Sequence, residues 1–175
     1  MLMRREFRSW LYAVDKGATT MWERWDAIQA DGTIHAGAMD TEADGQEDAS
    51  MISFNHYAYG AVVDWIYRNV GGLAPVLSEP GYKQVRVAPR PAIGFTFAQT
   101  SIQSPYGQIS LNWRLDRDTG LILDLTIPFG VKALIDLPCI AESQIACNGE
   151  KVGNGAMLGM GTYRLVAEKP LLVHY

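Results

Sequence analysis

Residues 22–26 read Trp-Glu-Arg-Trp-Asp, two acids and two large flat apolar rings within five positions. Carboxylates among indoles suit acid–base work on a sugar. The C–H face of a pyranose stacks on an indole, while one carboxyl donates a proton and another attacks or activates water. The same stretch also fits a purely local role. Thr20-Met21-Trp22-Glu23 matches a capping box, in which Thr20 bonds the fourth amide and Glu23 reaches back to the first. Such a box is common and worth about 1 kcal/mol, so spacing alone favours a cap. Asp26, three positions on, is expected to share a side of one helix turn with Glu23.

A second constellation lies at residues 53–68, "SFNHYAYGAVVDWIYR". Ser53 or Asn55 can cap a helix there, with His56 in its first turn. A single histidine at a helix start is more often structural than catalytic. Asn55, His56, Tyr57 and Tyr59 nevertheless gather polar tips on aromatic bodies, which is how polyols are held. Cys139 and Cys147, the only cysteines, lack His or Cys company at metal spacing and read as reduced thiols in or near a core. No metal or organic cofactor is implied.

These side chains need elements to position them. Met3, Phe7, Trp10, Leu11 and Val14 recur at helical spacing, with Gly17 as the stop. A second helix is expected from about Thr20, with Trp22 and Trp25 on neighbouring parts of one face. A third is expected from Ser53 to Val70, ended by Gly71-Gly72. Between the last two lies "QADGTIHAGAMDTEADGQEDAS", a long acidic loop without Lys or Arg, either functional or a solvated excursion. After "GLAPVLSEPGY" the period changes from 3.6 to 2. Val85/Val87, Phe95/Phe97, Ile109–Leu115, Leu121–Ile127 and Val131–Leu137 alternate, punctuated by "SPYGQ", "DRDTG", "IPFG" and "CNGE". Seven or eight short strands so spaced predict an antiparallel sandwich. The helical half spans 1–76 and the strand half 77–175.

The net charge of −4 argues against a nucleic-acid partner, which needs clustered Lys and Arg. No stretch has the apolar run of a secretory signal or a membrane span, so the chain reads as cytoplasmic with no membrane partner. Three helices with aromatic faces cannot close a domain of their own. They ask for a partner surface, either by self-association or from another chain.

Residues 10–28, "WLYAVDKGATTMWERWDAI", then "SFNHYAYGAVVDWIYRNVGGL" and "PGYKQVRVAPRP", resemble in order the C-terminal part of bacterial α-L-rhamnosidases. "SPYGQISLNWRL" and the closing "VGNG…YRL" are similar to that family's terminal sandwich. The resemblance implies an α+β chain: the terminal helices of an (α/α)6 barrel followed by an antiparallel β-sandwich. It implies inverting release of terminal α-L-rhamnose from glycosides. Glu23 would be the general base, His56 a ligand of the −1 sugar, and Asn55, Trp22 and Trp25 further parts of the pocket. The family's general acid lies on earlier barrel helices, and nothing in residues 1–16 resembles its acidic motif. The chain is therefore expected to be a piece of such an enzyme, inactive alone. A rival reading makes the sandwich a non-catalytic carbohydrate-binding or structural module. The dense polar–aromatic clusters lie before residue 80, which favours the enzyme; Phe95, Phe97 and Trp113 are expected on the core phase.

Overall fold

Period-two alternation becomes paired strands throughout the second half of the chain. The structure is a computed structural model, and it describes residues 2–35, 52–92, 94–137 and 145–168. The closing "LLVHY" and most of the acidic loop lie outside the described residues, as does Cys139. The chain divides into two compact units, Met1–Val62 and Val63–Tyr175.

The second unit holds ten strands among the described residues: β1 (Leu73–Pro75), β2 (Gln84–Val87), β3 (Phe97–Ser104), β4 (Gly107–Asp116), β5 (Gly120–Ile127), β6 (Lys132–Ile135), β7 (Ile145–Cys147), β8 (Glu150–Val152), β9 (Met157–Leu158) and β10 (Gly161–Ala167). They form a four-stranded sheet, β1-β2-β6-β9, and a six-stranded sheet, β3-β4-β5-β10-β7-β8. Strands β3, β4 and β5 form a meander through short turns. The expected antiparallel pairing holds with one exception. Strands β2 and β6 run parallel, with Gln84 opposite Lys132 and Val87 opposite Ile135. Three of the extra strands, β1, β8 and β9, are two or three residues long, too short to show a period.

Both sheets turn their apolar phase into one core. Val85 and Val87 meet Ile109, Leu111, Trp113, Leu123, Leu125, Ala133, Ile135 and Leu165, all buried. Burial of a Leu or Ile side chain stabilises by about 1.5–3 kcal/mol, so this seam holds the unit together. Cys147 lies buried in it as a free thiol, and desolvation there pushes its pKa up. Phe97 departs from expectation: it is 68% exposed. Ala98 pairs with the inward-facing Trp113, and Phe97 pairs with the exposed Arg114. The core side of β3 is thus built of Ala98, Thr100, Ile102 and Ser104, one residue out of phase with the expected set.

The helices are shorter than their periodicity predicts. The first, α1, spans Trp10–Asp15 rather than starting near Met3, and Gly17 follows it at φ 85°. No helix forms around Thr20–Asp26. The expected helix from Ser53 begins later, as a 3-10 turn Ala58–Ala61, then α2 (Val62–Trp65), then a π turn Ile66–Gly71. Gly72 ends it in the left-handed region at φ 82°, as expected of that pair. A Cβ on Gly72 would also sit 2.6 Å from the Pro89 backbone, so only glycine fits.

Candidate functional site

Glu23 does not cap a helix. Its amide donates to the Ser53 carbonyl at 2.9 Å, and its Oε2 accepts the Ser53 amide at 2.8 Å. Thr20, its expected capping partner, instead donates its hydroxyl to the Phe54 carbonyl at 2.6 Å. The His56 amide completes the strap by donating to the Met21 carbonyl at 2.7 Å. Residues 20–23 and 53–56 therefore lie side by side, joined by backbone groups, and the two constellations read separately in the sequence become one. An irregular stretch must place its amides and carbonyls somewhere, and here each segment satisfies the other. Ser53, expected only as a helix cap, instead holds Glu23 through its main chain. Its contribution is a main-chain N–H thirty positions away, which leaves no local signal.

Glu23 is half-buried, and its second oxygen, Oε1, has no hydrogen-bond partner among the described residues. One oxygen fixed by an N–H and one left open is an arrangement that can take a proton from water in a fixed direction. Asp26 does not share a helix turn with it. Its Oδ2 pairs with Arg8 Nη2 at 3.2 Å and lies 3.5 Å from His35 Nδ1, within ion-pair range but without hydrogen-bond geometry. Arg24 donates to the His35 carbonyl. Asp26 is thereby committed to the structure of its own corner.

His56 is half-buried beside the fully open Tyr57, ring on ring at 5.9 Å and 5°. Its Nδ1 accepts from the Ala58 amide at 3.4 Å. A neutral imidazole accepting at Nδ1 carries its proton at Nε2, which makes His56 a hydrogen-bond donor. Asn55 is exposed, and its main-chain N–H donates to the Ser53 hydroxyl at 3.2 Å.

The two tryptophans do different things. Trp22 is buried, with its ring edge-to-face on Phe54 at 5.4 Å. Trp25 is half-buried, stacked on Tyr59 at 5.0 Å and edge-on to Trp10 at 5.6 Å. Its indole Nε1 is buried with no hydrogen-bond partner among the described residues. They do not share one helix face; each packs into a separate aromatic group of the first unit. A concavity of about 340 Å³ opens on the sheet of the second unit, and one of about 320 Å³ in the first. The latter is lined by Trp10, Thr20, Trp22, Arg24 and Trp25 but not by Glu23 or His56, so it is not the space in front of the carboxylate.

Comparison with known proteins decides the family. Residues 1–70 match the model of the bacterial alpha-L-rhamnosidase 6 hairpin glycosidase domain, and residues 72–151 that of the bacterial alpha-L-rhamnosidase C-terminal domain. The chain belongs to the bacterial α-L-rhamnosidase family. It is 41% identical over 138 residues to an alpha-L-rhamnosidase of Streptomyces avermitilis, covering 79% of this chain and 12% of that protein. A second alpha-L-rhamnosidase, from Formosa agariphila, is 32% identical over 158 residues, covering 90% of this chain and 15% of the relative. Among solved structures, the S. avermitilis α-L-rhamnosidase complexed with L-rhamnose superposes with a TM-score of 0.75 at 34% identity, over 95% of this chain and 15% of that one. The α-L-rhamnosidase from Aspergillus terreus gives 0.73 at 31% identity, over 98% of this chain and 17% of its own. The 175 residues thus span about one-eighth to one-sixth of the length of these rhamnosidases.

Proposed function

We propose that this chain contributes the base side of an inverting α-L-rhamnosidase, with Glu23 as the general base that activates water. The observation that carries this reading is the divided carboxylate of Glu23: Oε2 held by the Ser53 amide, Oε1 without a partner among the described residues. His56 donates from Nε2 to a rhamnose hydroxyl, Asn55 adds an exposed amide beside it, and Tyr57 covers the imidazole. Trp22 and Trp25 stand behind the pocket and set the position of the two segments, since their rings are already taken up by Phe54 and Tyr59.

Inversion needs an acid to protonate the leaving oxygen while the base deprotonates water, with the two carboxyls about 6.5–9.5 Å apart. Asp26 does not supply that acid, because its carboxylate is paired with the Arg8 guanidinium. The 175 residues alone therefore hydrolyse nothing; the acid comes from a further barrel segment, in the same polypeptide or in a partner chain. No residue named here calls for a metal or organic cofactor.

The test uses an aryl α-L-rhamnoside. The chain alone is expected to give no turnover. Grafted in place of the matching segment of the S. avermitilis relative, it is expected to be active, and Glu23→Gln in the graft should cost roughly 10²–10⁴-fold in kcat. Turnover by the isolated chain overturns the incompleteness. A graft whose activity survives Glu23→Gln returns Glu23 to a structural strap.

A further inference from the structure

The outer face of the six-stranded sheet carries side chains that neither the core nor the proposed reaction uses. Register brings them into rows across the strands. Gln99, Asn112, Asp124 and Arg164 lie opposite one another on β3, β4, β5 and β10. Beside them Phe97 lies opposite Arg114. The next row is all hydroxyl: Ser101, Ser110, Thr126 and Thr162. Asp124 is held in place by two guanidiniums, Arg164 Nη1 at 3.2 Å and Arg114 Nη1 at 3.8 Å. The side-chain amides of Gln99 and Asn112 make no hydrogen bond among the described residues. The concavity of about 340 Å³ noted above opens here, lined by Phe97, Gln99, Asn112, Arg114 and Asp124, with Trp113 beneath. That volume falls within the range of small-ligand sites, about 300–1,000 Å³.

We propose that this face is a second carbohydrate site, taking a neutral oligosaccharide laid across β3, β4 and β5. The lining chemistry selects that occupant. Phe97 offers an open aromatic face to the C–H side of a pyranose. Two free amides and an anchored carboxylate offer donors and acceptors to ring hydroxyls, and the hydroxyl row extends them along the chain. A protein partner would need an apolar centre of its own; in the concavity Phe97 is the one large apolar side chain left open, since Ile122, next to Arg114 on the same face, is buried. Asp124 lies in the middle of the site paired with Arg114 and Arg164, so the groups left without a partner among the described residues are the neutral amides of Gln99 and Asn112. This site lies in the second unit and does not depend on Glu23, so it stands or falls apart from the proposed reaction.

The test is a titration of the full ¹⁵N-labelled 175-residue chain with xylohexaose and, separately, with a rhamnose disaccharide, read by amide chemical shifts. Shifts are expected at residues 97–99, 112–114 and 124 with at least one probe, and the responding probe names the sugar preferred. Phe97→Ala and Gln99→Ala should each weaken binding roughly tenfold, and Phe97→Tyr should retain it. Both substitutions remove exposed side chains, and an unchanged thermal midpoint checks the fold. Glu23→Gln should leave these shifts as they are. The proposal is overturned if neither probe shifts the sheet amides, if the shifts survive both alanine substitutions, or if they fall only on residues 20–57.

Discussion

Glu23 shows how a residue can match a local rule and obey a distant one. Thr20-x-x-Glu23 is a helix-start pattern, yet Thr20 bonds the Phe54 carbonyl and Glu23 the Ser53 amide. The residue type that the chemistry asks for was legible; the partner that holds it was not, because a main-chain amide has no letter of its own. Asp116 is the opposite case, where the local pattern decides. In the turn "DRDTG" its Oδ1 accepts the Thr119 amide at 2.8 Å and the Asp118 amide at 3.1 Å. These N–H groups, Thr119 first, lower its pKa from the ordinary 3.8. A carboxylate whose folded pKa is depressed stabilises the fold fully above its unfolded value and loses that contribution as pH falls through the folded one. Asp116→Ala is therefore expected to lower stability to urea at neutral pH, with the gap from wild type closing as pH drops through and below 3.8. A gap of equal size at both ends would mean that the turn does not rest on the charge.

Among the elements, strands were read well and helices poorly, for one physical reason. A half-buried strand writes its environment into every second residue, so Val85, Ile109, Leu123 and Ile135 announced their inward faces. The helical stretches instead carry aromatics that pack across the chain, as Trp10, Trp25 and Tyr59 do, and such spacing imitates a helix face. Phe97 was misread because β3 starts out of step with Phe95, which sits in a bridge to Ala92. That slip hid the exposed ring on which the second carbohydrate site is argued. The π turn Ile66–Gly71 also had no signal, but it has a measurable support. Trp113 Nε1 donates to the Val70 carbonyl at 2.7 Å from a buried position. Trp113→Phe strands that carbonyl and leaves a void, and is expected to cost about 2–4 kcal/mol in urea unfolding. A loss under about 1 kcal/mol would show that the carbonyl finds another donor.

At the scale of the molecule, the family likeness runs through both units while the chain spans only a small share of its relatives' length. The fold class and the family were legible because both motif order and strand period survive in 175 residues. The parallel pairing of β2 with β6 has a bearing on time rather than on shape. Gln84 cannot meet Lys132 until the whole β3-β4-β5 meander between them has been made. The meander closes through adjacent hairpins and loses little chain entropy on the way, whereas the four-stranded sheet must wait for a distant strand. On a ribosome, then, the six-stranded sheet has its first three strands in hand while β2, paired with β1 alone, keeps its other edge open to wrong partners until β6 emerges. Leu111→Ala and Leu123→Ala should accordingly slow refolding, with φ of about 0.5–0.8, while Val85→Ala and Ile135→Val should mainly speed unfolding, with φ of about 0–0.3. Equal φ in both sheets would mean that the crossover forms as early as the hairpins it encloses.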